Sequence, residues 1–267
     1  MATVGHPTML VVDDARIGPP GGLAAPARAT VAPMTRHVLV TGANRGIGRA
    51  IAESFVAAGY TVSSIHRSGE LPEGVDGAIA DITDTDAVNA AFDALEERHG
   101  RVEVLVANAG ITRDGLLMRM SDEDFATVLD TNLTGTFRTV RRASQSMVRQ
   151  RFGRIVLVGS VVGLMGNPGQ VNYSASKSAL VGMARSITRE LGARGITANV
   201  IAPGFITTDM TDELPEDTKR QYEATIPAKR FGSTEDVVAA ALYLASDAAG
   251  YVSGAVIPVD GGLGMGH

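Results

Sequence analysis

The sequence predicts a single doubly wound α/β domain with about seven parallel strands and helices on both faces. Three observations carry this expectation. Short β-branched apolar runs alternate with helical patterns from residue 37 onward, which implies a parallel sheet covered on both sides. No linker divides them. A chain of 267 residues with 45% apolar content can bury one large core.

Each element follows from its pattern. "HVLVT" (37–41) reads as the first strand, and a glycine-punctuated turn leads from it into a helix over 46–58. "TVSSI" (61–65) and "GAIAD" (77–81) read as the next two strands, then a helix near 84–99 and a strand "VEVLVA" (102–107). The run "FATVLDTNLTGTFRTVRRASQSMV" reads as one long helix with Phe125, Val128, Leu129, Leu133, Phe137, Val140 and Met147 on one face. "RIVLVG" (154–159), a helix over about 172–193 and "TANVIA" (197–202) come next. A polar insertion (205–229), a helix near 234–246 and a last strand "AVIPV" (255–259) close the pattern. Residues 1–35, rich in Ala, Pro and Gly, read as a flexible or disordered leader, with Met34 as an alternative start. Residues 36–267 form the domain.

Composition narrows the function. The net charge of −5 argues against a nucleic-acid binder. The chain has no cysteine, which removes disulfides and thiolate chemistry and is compatible with a reducing cytoplasm. Its five histidines show no ligand-like spacing, so no metal is expected. No apolar run reaches the roughly 18 residues that span a bilayer.

"VLVTGANRGIGRAIAESF" sets Gly42, Gly46 and Gly48 between a strand and a helix, flanked by Asn44, Arg45 and Ile47. Such a turn presents backbone N–H groups and a positive helix end to a pyrophosphate, as in Rossmann-type folds. The second strand ends in "IHRSG", where an NAD-preferring site would carry an acid. Arg67 stands there instead, and Arg45 lies in the turn. Two guanidinium groups would attract a ribose 2′-phosphate, so NADP(H) is expected over NAD(H). As isolated residues they read equally as solvated cations.

"VNYSASKSAL" (171–180) sets Tyr173 and Lys177 one helical turn apart. An ammonium about 4 Å from the phenol, at an effective dielectric of about 20, would favour phenolate by up to about 4 kcal/mol, roughly three pKa units. That would bring tyrosine toward the range of general acid/base catalysis. Ser160 closes the fifth strand, at the edge where open α/β sheets bind ligands. Asn132 is a poor helix former inside a long helix.

The turn "TGANRGIG" resembles the cofactor turn of the short-chain dehydrogenase/reductase family. Asn132, Ser160, Tyr173 and Lys177 match that family's tetrad in order and spacing. The resemblance implies hydride transfer between nicotinamide and a carbonyl carbon. Tyr173 would deliver the proton, Ser160 orient the oxygen, and Lys177 lower the tyrosine pKa and grip the nicotinamide ribose. Asn132 would bend its helix and hold a relay water. It further implies that Asp81 and Ile82 flank the adenine, that Asn108, Ala109 and Gly110 lie near the cofactor, and that Pro203, Gly204, Ile206 and Thr208 hold the nicotinamide end. "VANAG" has Ala where the family usually has a second Asn.

From about His37 to His267 the chain is similar to 3-oxoacyl-[acyl-carrier-protein] reductases of fatty acid synthesis, and among them to those of long-chain, mycolic acid precursor elongation. That implies a 3-oxoacyl thioester substrate on an acyl carrier protein (or CoA) and a homotetramer. It also implies a mobile lid over 205–229, containing Met210 and Tyr222. Five arginines in 141–154 would offer a basic patch to an acidic carrier, with Arg151 and Arg194 as contacts implied by the resemblance. Two other readings stay open: a relative acting on acetoacetyl-CoA or a small or steroid alcohol, and a non-catalytic NADP(H) sensor. A serine hydrolase built on Ser160 lacks both the nucleophile elbow and a histidine partner.

Overall fold

In the computed structural model, residues 36–208 and 215–265 are described. The leader, the choice of Met34 as start, and Met210 in the insertion lie outside the described residues.

Seven parallel strands form one sheet in the order β3-β2-β1-β4-β5-β6-β7. They are β1 (His37–Thr41), β2 (Thr61–His66), β3 (Val75–Ile79), β4 (Val104–Ala107), β5 (Gly153–Val158), β6 (Ile196–Pro203) and β7 (Val256–Val259). The helices are α1 (Gly46–Ala57), α2 (Thr85–His99), α3 (Asp122–Leu129), α4 (Thr136–Gln150), α5 (Val162–Met165), α6 (Val171–Leu191), α7 (Glu216–Thr225) and α8 (Thr234–Ala245). Alternate residues of the central strands feed two cores. Leu39, Leu105 and Leu157 face α2, α4 and α6, where Phe92, Met147 and Leu180 are buried. Val40, Val106 and Val156 face α1 and α8, where Ile51, Phe55 and Leu244 are buried. Burial on both sides explains why these strands read as continuous apolar runs.

Three expectations are corrected. The third strand ends at Ile79, so Asp81 lies in the loop beyond it; among the described residues this edge strand pairs only with β2, from Val75 opposite Val62 to Ile79 opposite His66. The single long helix is α3 and α4 joined through a π-helical segment, Asp130–Gly135. Phe137 is 45% exposed rather than on the packed face. That face carries Thr131, Asn132, Gly135, Thr136 and Thr139, because its neighbours approach closely. A Cβ added at Gly135 would lie 2.8 Å from the Ile82 side chain. The short α5 and the helix α7 were not expected.

At the sheet edge opposite the glycine turn, His37 is buried and bonded through both ring nitrogens. Nδ1 lies 2.7 Å from the Gly100 carbonyl and Nε2 2.6 Å from the Ser63 hydroxyl. A carbonyl can only accept, so Nδ1 carries the proton and Nε2 accepts from Ser63. Burial holds the imidazole below its ordinary value of 6.5. The unfolded chain therefore binds this proton more readily, and acid favours unfolding. The site's contribution is complete above about pH 6.5 and is lost as the pH falls through the lower folded-state value. We expect the melting temperature to drop between about pH 7 and 5, and less steeply in His37→Gln, by circular dichroism.

Candidate active site

The site assembles at the C-terminal edge of the sheet, beside the point where strand order reverses between β1 and β4. Gly42 (φ 73°) and Gly46 (φ 54°) adopt the left-handed region that the turn requires. The Asn108 side chain brackets this turn, its Nδ2 donating to the carbonyls of Thr41 at 3.1 Å and Gly42 at 3.2 Å. A Cβ at Gly48 would lie 2.3 Å from both Asn108 Nδ2 and the Gly42 oxygen, so only glycine fits. Arg45, in extended conformation at the N-cap of α1, makes no side-chain cap, and the first turn carries no acid. Among the described residues no side chain caps the leading N–H groups of α1, which suits an anion. Asn44 sits beside Gly69, in the loop after β2.

Arg67 follows β2 and pairs with Asp81 at 3.6 Å. Burial would raise the Asp81 carboxyl, but bonds from the Thr83 N–H and hydroxyl, with the Arg67 charge, hold it below its ordinary value. Ile82 is buried against Gly135. Ala109 N–H donates to the Thr41 hydroxyl at 3.0 Å. On the opposite rim, the Pro203 carbonyl accepts from Val161 at 2.8 Å and Gly204 N–H donates to Val259 at 2.9 Å. Ile206 bridges to Gly232, and the nearest atom to a Cβ built on Gly46 is the Thr208 methyl, at 3.9 Å. The two rims thus meet over the turn. Uncapped helix N–H groups and a glycine cradle, with Arg67 just beyond β2, fit a dinucleotide.

Ser160 lies just past β5 and Tyr173 in the first turn of α6, close enough for the serine to act on the phenol's ionisation. Lys177 is buried one turn later, its Nζ donating to the Val158 carbonyl at 2.8 Å and lying 5.7 Å from the Tyr173 ring centroid. Asn132 clamps Ile111: its Oδ1 accepts from Ile111 N–H at 2.8 Å and its Nδ2 donates to the Ile111 carbonyl at 2.9 Å. The same Nδ2 donates to the Ser176 hydroxyl at 3.1 Å, one residue before Lys177. Gly110 closes the group, since a Cβ there would lie 3.1 Å from Asn132 Oδ1 and 3.4 Å from Lys177 Nζ.

The electrostatics differ from expectation. Burial pushes the Tyr173 phenol up, the nearby Ser160 hydroxyl pulls it back, and the Asp114 carboxylate adds to the rise. Burial lowers Lys177 to about 8. Among the described residues no hydrogen bond joins lysine and tyrosine, because the buried ammonium takes its partner from Val158. The chain by itself therefore holds a protonated phenol near neutral pH.

Two other expectations separate from the site. Arg151, at the end of α4, and Arg194, in the turn after α6, are exposed where β5 and β6 begin. Ser160 lies at the far end of β5, about 20 Å away for six residues at 3.3 Å each. The basic patch is also smaller than its sequence. Arg142 is paired with Asp93 at 2.6 Å and Glu96 at 2.7 Å, and Arg154 is buried against the Phe152 ring. Within the insertion, Tyr222 on α7 stacks on Phe205 at 4.4 Å. Among the described residues no group of three His, Asp or Glu side chains is placed to hold a metal.

A family profile described as Enoyl-(Acyl carrier protein) reductase matches residues 42–264. The chain belongs to the short-chain dehydrogenase/reductase family and is an oxidoreductase. It is 53% identical to 3-oxoacyl-[acyl-carrier-protein] reductase MabA of Mycobacterium tuberculosis over 234 residues, 88% of this chain and 95% of that one. It is 44% identical to 3-oxoacyl-[acyl-carrier-protein] reductase FabG of Haemophilus influenzae over 84% of this chain and 96% of that one. For FabG of Escherichia coli the identity is 43%, over 85% and 96%. Reductases of this family use a nicotinamide cofactor.

Gly48→Ala forces a methyl group against backbone. We expect it to destabilise the fold by about 1–3 kcal/mol in urea denaturation, and to weaken dinucleotide binding measured by fluorescence.

Proposed function

We propose that this chain reduces 3-oxoacyl thioesters carried on acyl carrier protein to 3-hydroxyacyl thioesters, with NADPH as reductant. The observation that carries the chemistry is buried Lys177, held by the Val158 carbonyl one helical turn after Tyr173, with Ser160 acting on the same phenol. It lies on the same sheet edge as the glycine turn. The substrate class comes from the reductases to which 84–88% of the chain is similar at 44–53% identity.

The bound dinucleotide supplies hydride to the carbonyl carbon. Ser160 orients the carbonyl oxygen, and Tyr173 gives it the phenolic proton, a role that a phenol kept protonated near pH 7 suits. Lys177 sits behind the phenol, where its ammonium would stabilise the phenolate left by proton transfer until solvent returns the proton. Asn132 fixes the loop after β4 through Ile111. The N–H groups at the start of α1 would take the pyrophosphate, with Gly42, Asn44, Gly46, Ile47 and Gly48 forming the turn. Arg45 and Arg67 would take the 2′-phosphate, Asp81 and Ile82 the adenine, and Asn108, Ala109 and Gly110 the ribose side. Pro203, Gly204, Ile206 and Thr208 would hold the nicotinamide end, beneath a lid formed by 205–229. Assembly as a homotetramer in the cytoplasm belongs to the same proposal, as does carrier docking at Arg151 and Arg194, which are exposed where β5 and β6 begin.

Initial rates with NADPH and NADH across a 3-oxoacyl thioester series test cofactor, reaction and substrate together. Faster turnover of a steroid alcohol, or a preference for NADH, would overturn the proposal. Tyr173→Phe should lower kcat by about 10²- to 10⁴-fold with NADPH binding retained. Arg67→Ala should raise KM for NADPH about tenfold and leave KM for NADH little changed, since the pair lost is charge-assisted.

A further inference from the structure

The helix that carries Tyr173 begins without the usual anchors. Gln170 occupies the N-cap position of α6, its own side chain caps no backbone N–H, and the first turn contains no acid. First turns hold orphan donors and fray when these are unmet. A proton donor that must meet a reacting atom cannot sit on a loose turn.

A strap from elsewhere in the chain holds this turn. Residues 111–115, after β4, are clamped at Ile111 by Asn132 and run along the start of α6. Asn172 is fully buried between the two. Its Nδ2 donates to the Arg113 carbonyl at 2.8 Å, and its Oδ1 accepts the backbone N–H of Tyr173 at 2.7 Å. Beside it, Gly115 N–H donates to the Gly169 carbonyl at 2.8 Å. Gln170 Nε2 donates to the Asp114 carboxylate at 3.0 Å. One buried amide therefore satisfies the orphan donor of Tyr173 and ties it to the strap.

We propose that Asn172 is a positioning residue for the reaction: with strap 111–115 it replaces the cap that α6 lacks and fixes Tyr173 against Ser160. This rests on Tyr173 being the proton donor, as proposed above. The strap also brings a charge. Asp114 stands near the positive end of α6, where an anion is favoured, and opposes ionisation of the phenol. The other groups facing Tyr173 are Ser160 from the end of β5 and Lys177 from α6 itself.

Asn172→Ala removes both bonds. We expect kcat to fall roughly 10- to 100-fold while KM for NADPH stays within about twofold. Asp114→Asn keeps an acceptor for Gln170 but loses the charge. Its plateau kcat should survive while the alkaline limb of the reduction profile moves to lower pH, because phenolate forms more readily. Unchanged kcat in Asn172→Ala, loss of NADPH binding in parallel with kcat, or an unmoved limb in Asp114→Asn would each overturn the positioning role. If Asn172→Ala does not fold, Gln170→Ala and the Asp114→Asn profile decide: lower kcat in the first and the shifted limb in the second are required. Tyr173→Phe separates the two levels. If it retains turnover, the proposed function falls and this inference with it; if it is inactive beside a fully active Asn172→Ala, only the positioning role falls.

Discussion

The hydroxyl of Thr41 accepts the backbone N–H groups of both Asn108 and Ala109, each at 3.0 Å. It thereby ties the end of β1 to the end of β4, where strand order reverses. In a parallel sheet every strand leaves by the same edge, so the loops that carry chemistry crowd together there. This clasp decides how they crowd. It sets Asn108 against the glycine turn, sets Gly110 against Asn132 and Lys177, and launches the chain into the strap over α6.

Two buried amides beyond that clasp are saturated. Asn132 uses both ends of its amide on one residue, and Asn172 uses both ends of its own on two. Such amides cannot rotate without leaving buried donors or acceptors unmet, which costs about 1–3 kcal/mol each. Rigidity at the site thus comes from amides that never meet the reacting atoms. Lys177 is subject to the same accounting: its buried ammonium is held by the Val158 carbonyl.

Much of this was legible in the sequence, and the failures have physical causes. Strand order of type, the glycine turn and the tetrad positions could be read because apolar runs, glycines and fixed spacings are local signals. β3 lies two residues earlier and β4 starts two residues later than the sequence suggests, because strand limits depend on the pairing of neighbours. Phe137 was assigned to the packed face because size suggests burial, yet that face needs Gly135 and small threonines for close approach. The lysine–phenol pairing assumed that proximity on a helix selects the partner, whereas burial made Val158 the nearer acceptor. Asn172 carries no motif; only its burial beside Arg113 gives it meaning. Arg151 and Arg194 read well as charges, but a linear sequence does not say which edge of the sheet a charge occupies.

Strand β1 at the centre of the sheet also has a consequence for how the chain comes into being. Its two partners are β2, which follows closely, and β4, which comes much later. During synthesis from the N-terminus, one edge of β1 waits unpaired until Val104–Ala107 have emerged, with Val38 and Val40 lacking part of their cover. Non-local pairing of this kind slows folding and leaves apolar edges open to stray partners. The nascent first half is therefore the stage at which this protein is most in need of protection from aggregation.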